Sequence, residues 1–195
     1  MTDSNSDITN LAMASLRASL TDAAPLSLEV NAQGLESAFI ERARAAGAHV
    51  YEVPKGGDQD TVVGEILASL DPARIALSAD PEAREACLFF GAGAISGERD
   101  PARLGDCGAA VTRVAAGVAD LGVVALRQDA DEHRLGTLVP PVFVAMLERS
   151  DLIRGWDALV QPSTMIAGPE RAASTTLAGP DVLRAPSELH VVLYG

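Results

Sequence analysis

The sequence predicts an α/β domain in which helices wrap a mainly parallel sheet, and three observations carry that reading. From residue 49 to residue 90, strand-like and helix-like stretches alternate with short connections, the pattern of units joined by right-handed crossovers. The run Val142-Phe-Val-Ala-Met-Leu147 is apolar throughout, as a strand covered on both faces is. The chain is 48% hydrophobic with only 4% aromatic residues, so its core is built from Val, Leu, Ile and Ala, small side chains that let helices pack closely on a sheet. At 195 residues it is long enough for one domain with a full core and no staples.

Taken in order, residues 1–6 read as a disordered tail, and Asp7 to Leu20 as an N-terminal helix with Ile8, Leu11, Leu16 and Leu20 near helical spacing. Thr21 to Val30, with Pro25, reads as an extended connection. The main domain spans 31–195 and begins with Asn31 as the cap of a helix through Leu35, Ala38, Phe39, Arg42 and Ala46, ended by Gly47. His49-Val-Tyr-Glu-Val53 predicts a strand. Asp60 to Leu70 predicts a helix with Val63, Ile66, Leu67 and Leu70 on one face, and Arg74 to Ser78 a second strand. Asp80-Pro81 opens another helix, aspartate at the N-cap and proline at the first helical position, directing Ala86, Cys87, Phe89 and Phe90 toward the core.

Gly91-Ala-Gly-Ala-Ile-Ser-Gly97 approaches a dinucleotide fingerprint but is one residue too long and follows a helix, whereas the fingerprint needs a strand to deliver its glycines beneath a pyrophosphate. It reads as a glycine loop that continues from Ser96 to Asp106. Ala109 to Val114 and Gly122 to Leu126 are β-type runs separated by a turn around Gly117-Val-Ala-Asp120. Arg127 to Arg134 is a polar loop. Pro140-Pro141, lacking N–H donors, precede the ladder of the 142–147 strand. Met165 onward and Leu189 to Tyr194 complete the strand-like pieces.

Charge narrows the function classes. With 27 acidic against 15 basic residues the net charge is −12 and the pI near 4.5, a surface that repels phosphate backbones and argues against nucleic-acid binding. Lys55 is the only lysine, and the arginines are scattered. The acidic start Met1 to Asp7 is unlike a signal peptide, and no apolar run reaches the length of a membrane helix, so a cytoplasmic protein without membrane attachment is expected. Cys87 and Cys107 match no zinc or Cys-x-x-Cys spacing and read as buried free thiols, consistent with that compartment.

No nucleophile elbow, phosphate loop or helical metal pair is present, so no cofactor and no metal is expected. His49 and His190 lie in strands, where a hydrogen-bonded core or edge histidine is the ordinary reading; His133 lies in the polar loop between Glu132 and Arg134. Asp120 is the candidate catalytic residue. It stands in a small-residue turn before a strand, where a carboxylate can act as base or nucleophile, although closing the turn through its own backbone would explain it too. Ala167-Gly-Pro-Glu-Arg171 is the candidate ligand-binding segment. Gly168 permits close approach, Pro169 starts a helix whose N–H groups from Glu170 to Ala172 would meet an anion, and Arg171 would clamp a carboxylate or phosphate. A plain strand-to-helix turn with Arg171 in a surface ion pair stays open beside it.

Read together, Asp120-Leu-Gly-Val123, Leu138-Val-Pro-Pro-Val-Phe143, Gly168-Pro169 with Arg171 and Ala173, and Pro186 with Leu189-His190 resemble the lactate-utilisation protein C family, the single-domain LUD proteins. The acid, the glycines, the proline pair and the terminal Leu-His match the family pattern. Two threonines and a histidine of that pattern are replaced by Leu121, Val123 and Phe143, and its acidic pair falls on Ser174 and Thr176. A Gly-Val-His-Gly stretch falls on Val182, Leu183, Arg184 and Ala185. The resemblance implies a three-layer α/β/α sandwich of the sugar-phosphate isomerase and CoA-transferase class (the NagB/RpiA/CoA transferase-like fold), with sites at strand ends. It implies Asp120, Gly122, Gly168, Pro169, Arg171 and His190 as site residues. It further implies an accessory or regulatory subunit in the oxidation of L-lactate to pyruvate, working with iron–sulfur partner proteins and binding a small carboxylate or phosphate. Such clusters take four thiolates, and two cysteines do not supply them. The alternatives are a stand-alone isomerase-like or acyl-CoA transferase-like enzyme using Asp120, and a diverged binding module that contacts itself or a partner through hydrocarbon at Leu121, Val123 and Phe143.

Overall fold

A computed structural model describes residues 32–96, 98, 100–127, 136–159, 163–170, 182–184 and 187–195. The tail, helix and connection expected over residues 1–30, the cap at Asn31, and most of the 127–134 loop lie outside the described residues, as do His133 and Arg171. The described elements all belong to one compact unit, Ala32–Gly195.

The helices are α1 (Ala32–Ala45), α2 (Gln59–Leu70), α3 (Pro81–Glu85) and α4 (Pro101–Gly105). The strands are β1 (His49–Glu52), β2 (Ile75–Leu77), β3 (Ala94–Ser96), β4 (Ala109–Arg113), β5 (Ala116–Val118), β6 (Val123–Arg127), β7 (Val142–Glu148), β8 (Leu152–Ile153), β9 (Ser163–Ala167), β10 (Val182–Arg184) and β11 (Glu188–Tyr194). Six strands form a sheet in the order β1-β11-β7-β4-β2-β3, with every pair parallel. Five form a mixed sheet in the order β10-β9-β6-β5-β8, in which β5 and β6 make an antiparallel hairpin. Helices flank the six-stranded sheet, giving the three-layer α/β/α sandwich expected.

The alternation of side chains along each strand sorts the core. Leu189, Val191 and Leu193 of β11 pack with Phe39, Ile40 and Ala43 of α1 and with Val124 and Ile166 of the mixed sheet. Val192 and Tyr194 face the other way, with Val63, Ile66 and Leu67 of α2 and Ala83 of α3. The 142–147 run is fully central: β7 lies between β11 and β4, and its side chains alternate between those two clusters. Pro140 and Pro141 do precede the ladder, and the Pro141 carbonyl accepts from Ser187 and Glu188.

Local chemistry explains the helix ends. Gly47, at φ +81°, closes α1 where an L side chain would be strained. Asp58 caps α2, accepting from the Asp60 N–H at 3.0 Å and the Thr61 hydroxyl at 2.7 Å. Asp80 caps α3 by accepting from the Glu82 and Ala83 N–H groups at 2.9 and 3.3 Å, ahead of Pro81 at its first turn.

Four expectations are corrected. The helix opened by Asp80 stops at Glu85 and gives way to a 3₁₀ stretch, Leu88–Gly93, whose tighter winding changes the phase. Phe90 packs on the core, but Phe89 turns to solvent at 60% exposure, beside Leu88 at 74%. The glycine loop ends in strand β3, an edge strand on β2, and the following loop contains the short helix α4, capped by Asp100 on the Ala102 N–H. The turn around Gly117 is strand β5: a Cβ at Gly117 would lie 2.6 Å from the Leu147 side chain and 2.8 Å from that of Leu152, so glycine keeps those leucines in place where the two sheets meet. Strands β8 and β10 have no counterpart in the sequence reading.

Candidate functional site

Asp120, Gly122 and Gly168 gather along the last turns of α1. A Cβ at Gly122, φ +63°, would lie 2.5 Å from the backbone of Arg42 and Ala43, and one at Gly168 would run into the Ala46 carbonyl. Both glycines therefore seat α1 on the mixed sheet. Pro169 follows at the turn, and the Glu170 N–H, which the sequence reading offered to an anion, donates to the Ala46 carbonyl at 3.0 Å. Asp120 sits between two guanidiniums, 3.4 Å from Arg42 Nη1 and 3.7 Å from Arg154 Nε. Its side chain is 51% exposed, and its backbone N–H donates to the Arg154 carbonyl at 2.9 Å. Arg42 also donates to the Ala119 carbonyl at 2.9 Å, so the turn is tied to α1 from both sides. This is a solvated ion-pair cluster, with the Asp157 carboxylate close by across Gly155, and it is unlike the water-excluded setting of a catalytic base.

His190 does not join that group. It lies on the opposite face of the six-stranded sheet, 5% exposed, in a strand whose alternate residues Leu189 and Val191 point toward α1. The parallel pairing of β1 and β11 sets His190 against His49, and their rings stack with centroids 4.8 Å apart at 25°. The Tyr51 hydroxyl lies 3.1 Å from His190 Nδ1, and a Glu188 carboxylate oxygen lies 3.1 Å from Nε2. Burial holds the His190 imidazole below its ordinary pKa, against the pull of Glu188, and burial together with Glu188 raises the Tyr51 phenol. The sequence signal for this group was two i, i+2 pairs, His49-x-Tyr51 and Glu188-x-His190, each on one face of a strand. Searching helical spacings alone passes over it.

A second polar group was missed altogether. At the carboxyl ends of the parallel strands, where ligands bind in open α/β sheets, β4 ends in Arg113, β7 in Glu148 and β11 in Tyr194. Arg113 reaches Glu148 at 2.8 Å, Asp151 at 3.1 Å and Glu82 of α3 at 3.4 Å. The Tyr194 hydroxyl donates to Glu82 at 2.6 Å, and burial followed by that carboxylate raises the phenol. Asp60, at the start of α2, has one buried oxygen without a hydrogen-bond partner. Burial raises its pKa, helped by Asp58, Glu85 and Glu82. Nearby Cys87 is pushed up to about 12 by burial and by Asp60, which makes it an inert thiol at neutral pH.

Arg113 is thus the cation that holds three carboxylates together. Arg113→Gln is expected to cost about 2 kcal/mol, discounted for partial solvent exposure, and to lower Tm by roughly 4 to 8 °C. Differential scanning calorimetry checks it; an unchanged Tm would mean that the three acids are solvated independently.

Of the apolar residues standing where the lactate-utilisation pattern has threonine and histidine, two are internal. Val123 and Phe143 are fully buried and fill the fold, and Leu121, partly buried, packs on the outer cluster of the mixed sheet. Among the described residues, no helix is long and apolar enough to cross a membrane.

Comparison with known proteins gives no matching family model and no matching curated protein. Among solved structures, the chain is similar to the crystal structure of a DUF162 family protein from Deinococcus radiodurans at 1.70 Å resolution. The TM-score is 0.63 at 18% identity, covering 85% of this chain and 99% of that one. At that identity the likeness is one of fold alone.

Proposed function

We propose that this protein is an accessory or regulatory subunit of an L-lactate utilisation system, acting beside iron–sulfur partner proteins and holding a small carboxylate or phosphate at the Arg42–Asp120–Arg154 cluster. The observation that carries the proposal is the fold likeness to the DUF162 protein, which extends over 99% of that chain. DUF162 is the LUD domain family, so the likeness and the motif resemblance point the same way. Two features of the chain add support. The Asp120 turn keeps an arginine on each side, with all three side chains about half exposed and accessible to an anion. Leu88 and Phe89 offer exposed hydrocarbon of the kind that partner surfaces cover.

The test is anaerobic purification of the tagged protein from its own organism grown on lactate. Stoichiometric recovery of iron–sulfur proteins, with lactate oxidation dependent on this chain, is expected. A Leu88→Ser, Phe89→Ser double variant should lose the partners with only a small fall in Tm, since Phe89 still rests on Phe90. A homo-oligomer free of partners would overturn the proposal.

The strand-end group around Arg113 favours a second reading, a stand-alone enzyme of the isomerase or acyl-CoA transferase kind, because sites on such sheets form at carboxyl ends of strands. On that reading a phosphosugar or CoA thioester raises Tm, and Arg113→Gln abolishes the rise. If Asp120→Ala abolishes it instead, the site belongs at the Asp120 turn; no rise with either ligand class discards the enzyme.

A further inference from the structure

The His190 group has a donor set that no part of the proposed role uses. His49, Glu188 and His190 each offer one ligand atom, and the three atoms lie within 4.8 Å of one another. Two imidazoles and a carboxylate are the donors that late first-row divalent ions take, and with three protein ligands a coordination position stays open. All three residues come from adjacent paired strands, so their Cα positions are fixed by the ladder.

We propose that His49, Glu188 and His190 bind a divalent transition-metal ion, Zn²⁺ above all, with at least one coordination position left to solvent. The separation of Glu188 oxygen and His190 Nε2, 3.1 Å, is close to the edge of a tetrahedron with bonds of ~2.0 Å, which is about 3.3 Å. An ion can therefore replace the shared contact without moving either backbone. His49 is exposed, so its ring can leave its stack on His190 and swing the remaining distance toward the ion. Tyr51 completes the arrangement by engaging His190 Nδ1, which fixes the ring and leaves Nε2 for the metal, as partners of ligating histidines do.

The experiment uses the full chain without an affinity tag, stripped with chelator and dialysed. Zn²⁺ binding is measured by competition with a chromogenic chelator, and Co²⁺ by the visible absorption of its tetrahedral or five-coordinate complex. One Zn²⁺ per chain is expected, with a rise in Tm. His49→Ala and Glu188→Gln should each weaken binding by about tenfold or more, and Tyr51→Phe by about tenfold. His49 is exposed, so His49→Ala should leave the Tm of the metal-free protein unchanged, which separates loss of a ligand from loss of the fold. Absence of Zn²⁺ binding to the wild type would overturn the site. So would binding that keeps its strength in His49→Ala and Glu188→Gln, since the ion would then be held elsewhere, as at His133.

Discussion

Gly168→Ala is expected to lose at least about 3 kcal/mol of folding free energy, with Tm lower by roughly 6 to 12 °C. The added methyl would meet the Ala46 carbonyl and the Ala48 N–H, both backbone atoms that cannot rotate aside. Relief requires the end of α1 to lift from the mixed sheet, which would also break the hydrogen bond from Glu170 to Ala46. Gly122→Ala should behave alike for two reasons: its φ of +63° strains any L side chain, and its Cβ would lie 2.5 Å from the Ala43 nitrogen. Chemical denaturation followed by circular dichroism checks both. A variant that kept wild-type stability while losing a ligand would return these glycines to the binding role that the motif resemblance implies for them.

Phe143→Ala should cost about 3 to 5 kcal/mol. Phe143 is fully buried on β7, in the cluster shared by α1, β11 and the mixed sheet, so the void opens where three elements converge and none can collapse alone. Phe143→His, which restores the residue of the lactate-utilisation pattern, should also destabilise by ~2 kcal/mol or more, because an imidazole there is desolvated among hydrocarbon. If Phe143→His were as stable as the wild type, a polar partner would have to reach that position, and the apolar replacement would be incidental to the fold.

What could be read from the residues followed the range of the interaction that specifies each feature. The 142–147 strand, the Asp80-Pro81 helix start and the Gly47 stop are encoded by neighbours in sequence, and the structure has them. Strand β5 is not: Ala116-Gly117-Val118 is small because Leu147, Leu152 and Phe39 press on it, and in isolation such a triplet looks like a turn. Phe89 follows helical spacing only as long as the helix lasts, and the change to 3₁₀ winding rotates it out. The candidate sites divide in the same way. Asp120 was singled out by its turn, but its arginine partners, Arg42 and Arg154, come from distant segments. Arg113 stands in an unremarkable Val-Thr-Arg-Val stretch, and only the parallel register brings Glu148 and Tyr194 beside it. The pairing of His49 with His190 likewise depends on strand order, which periodicity does not encode.

The place of β11 has a consequence for how the protein is made. This strand, the last in chain order among those described, inserts between β1 and β7, and the hydrogen bond between Tyr51 and His190 joins residues 139 apart. Until β11 has been made, β1 lacks the partner that joins it to the sheet and β7 has one edge unpaired. The antiparallel hairpin of β5 and β6 can close at once, but the principal sheet cannot be completed before β11 has been translated. Nascent chains halted before residue 188 should therefore be held by chaperones or degraded, and maturation should be governed by the arrival of one seven-residue strand.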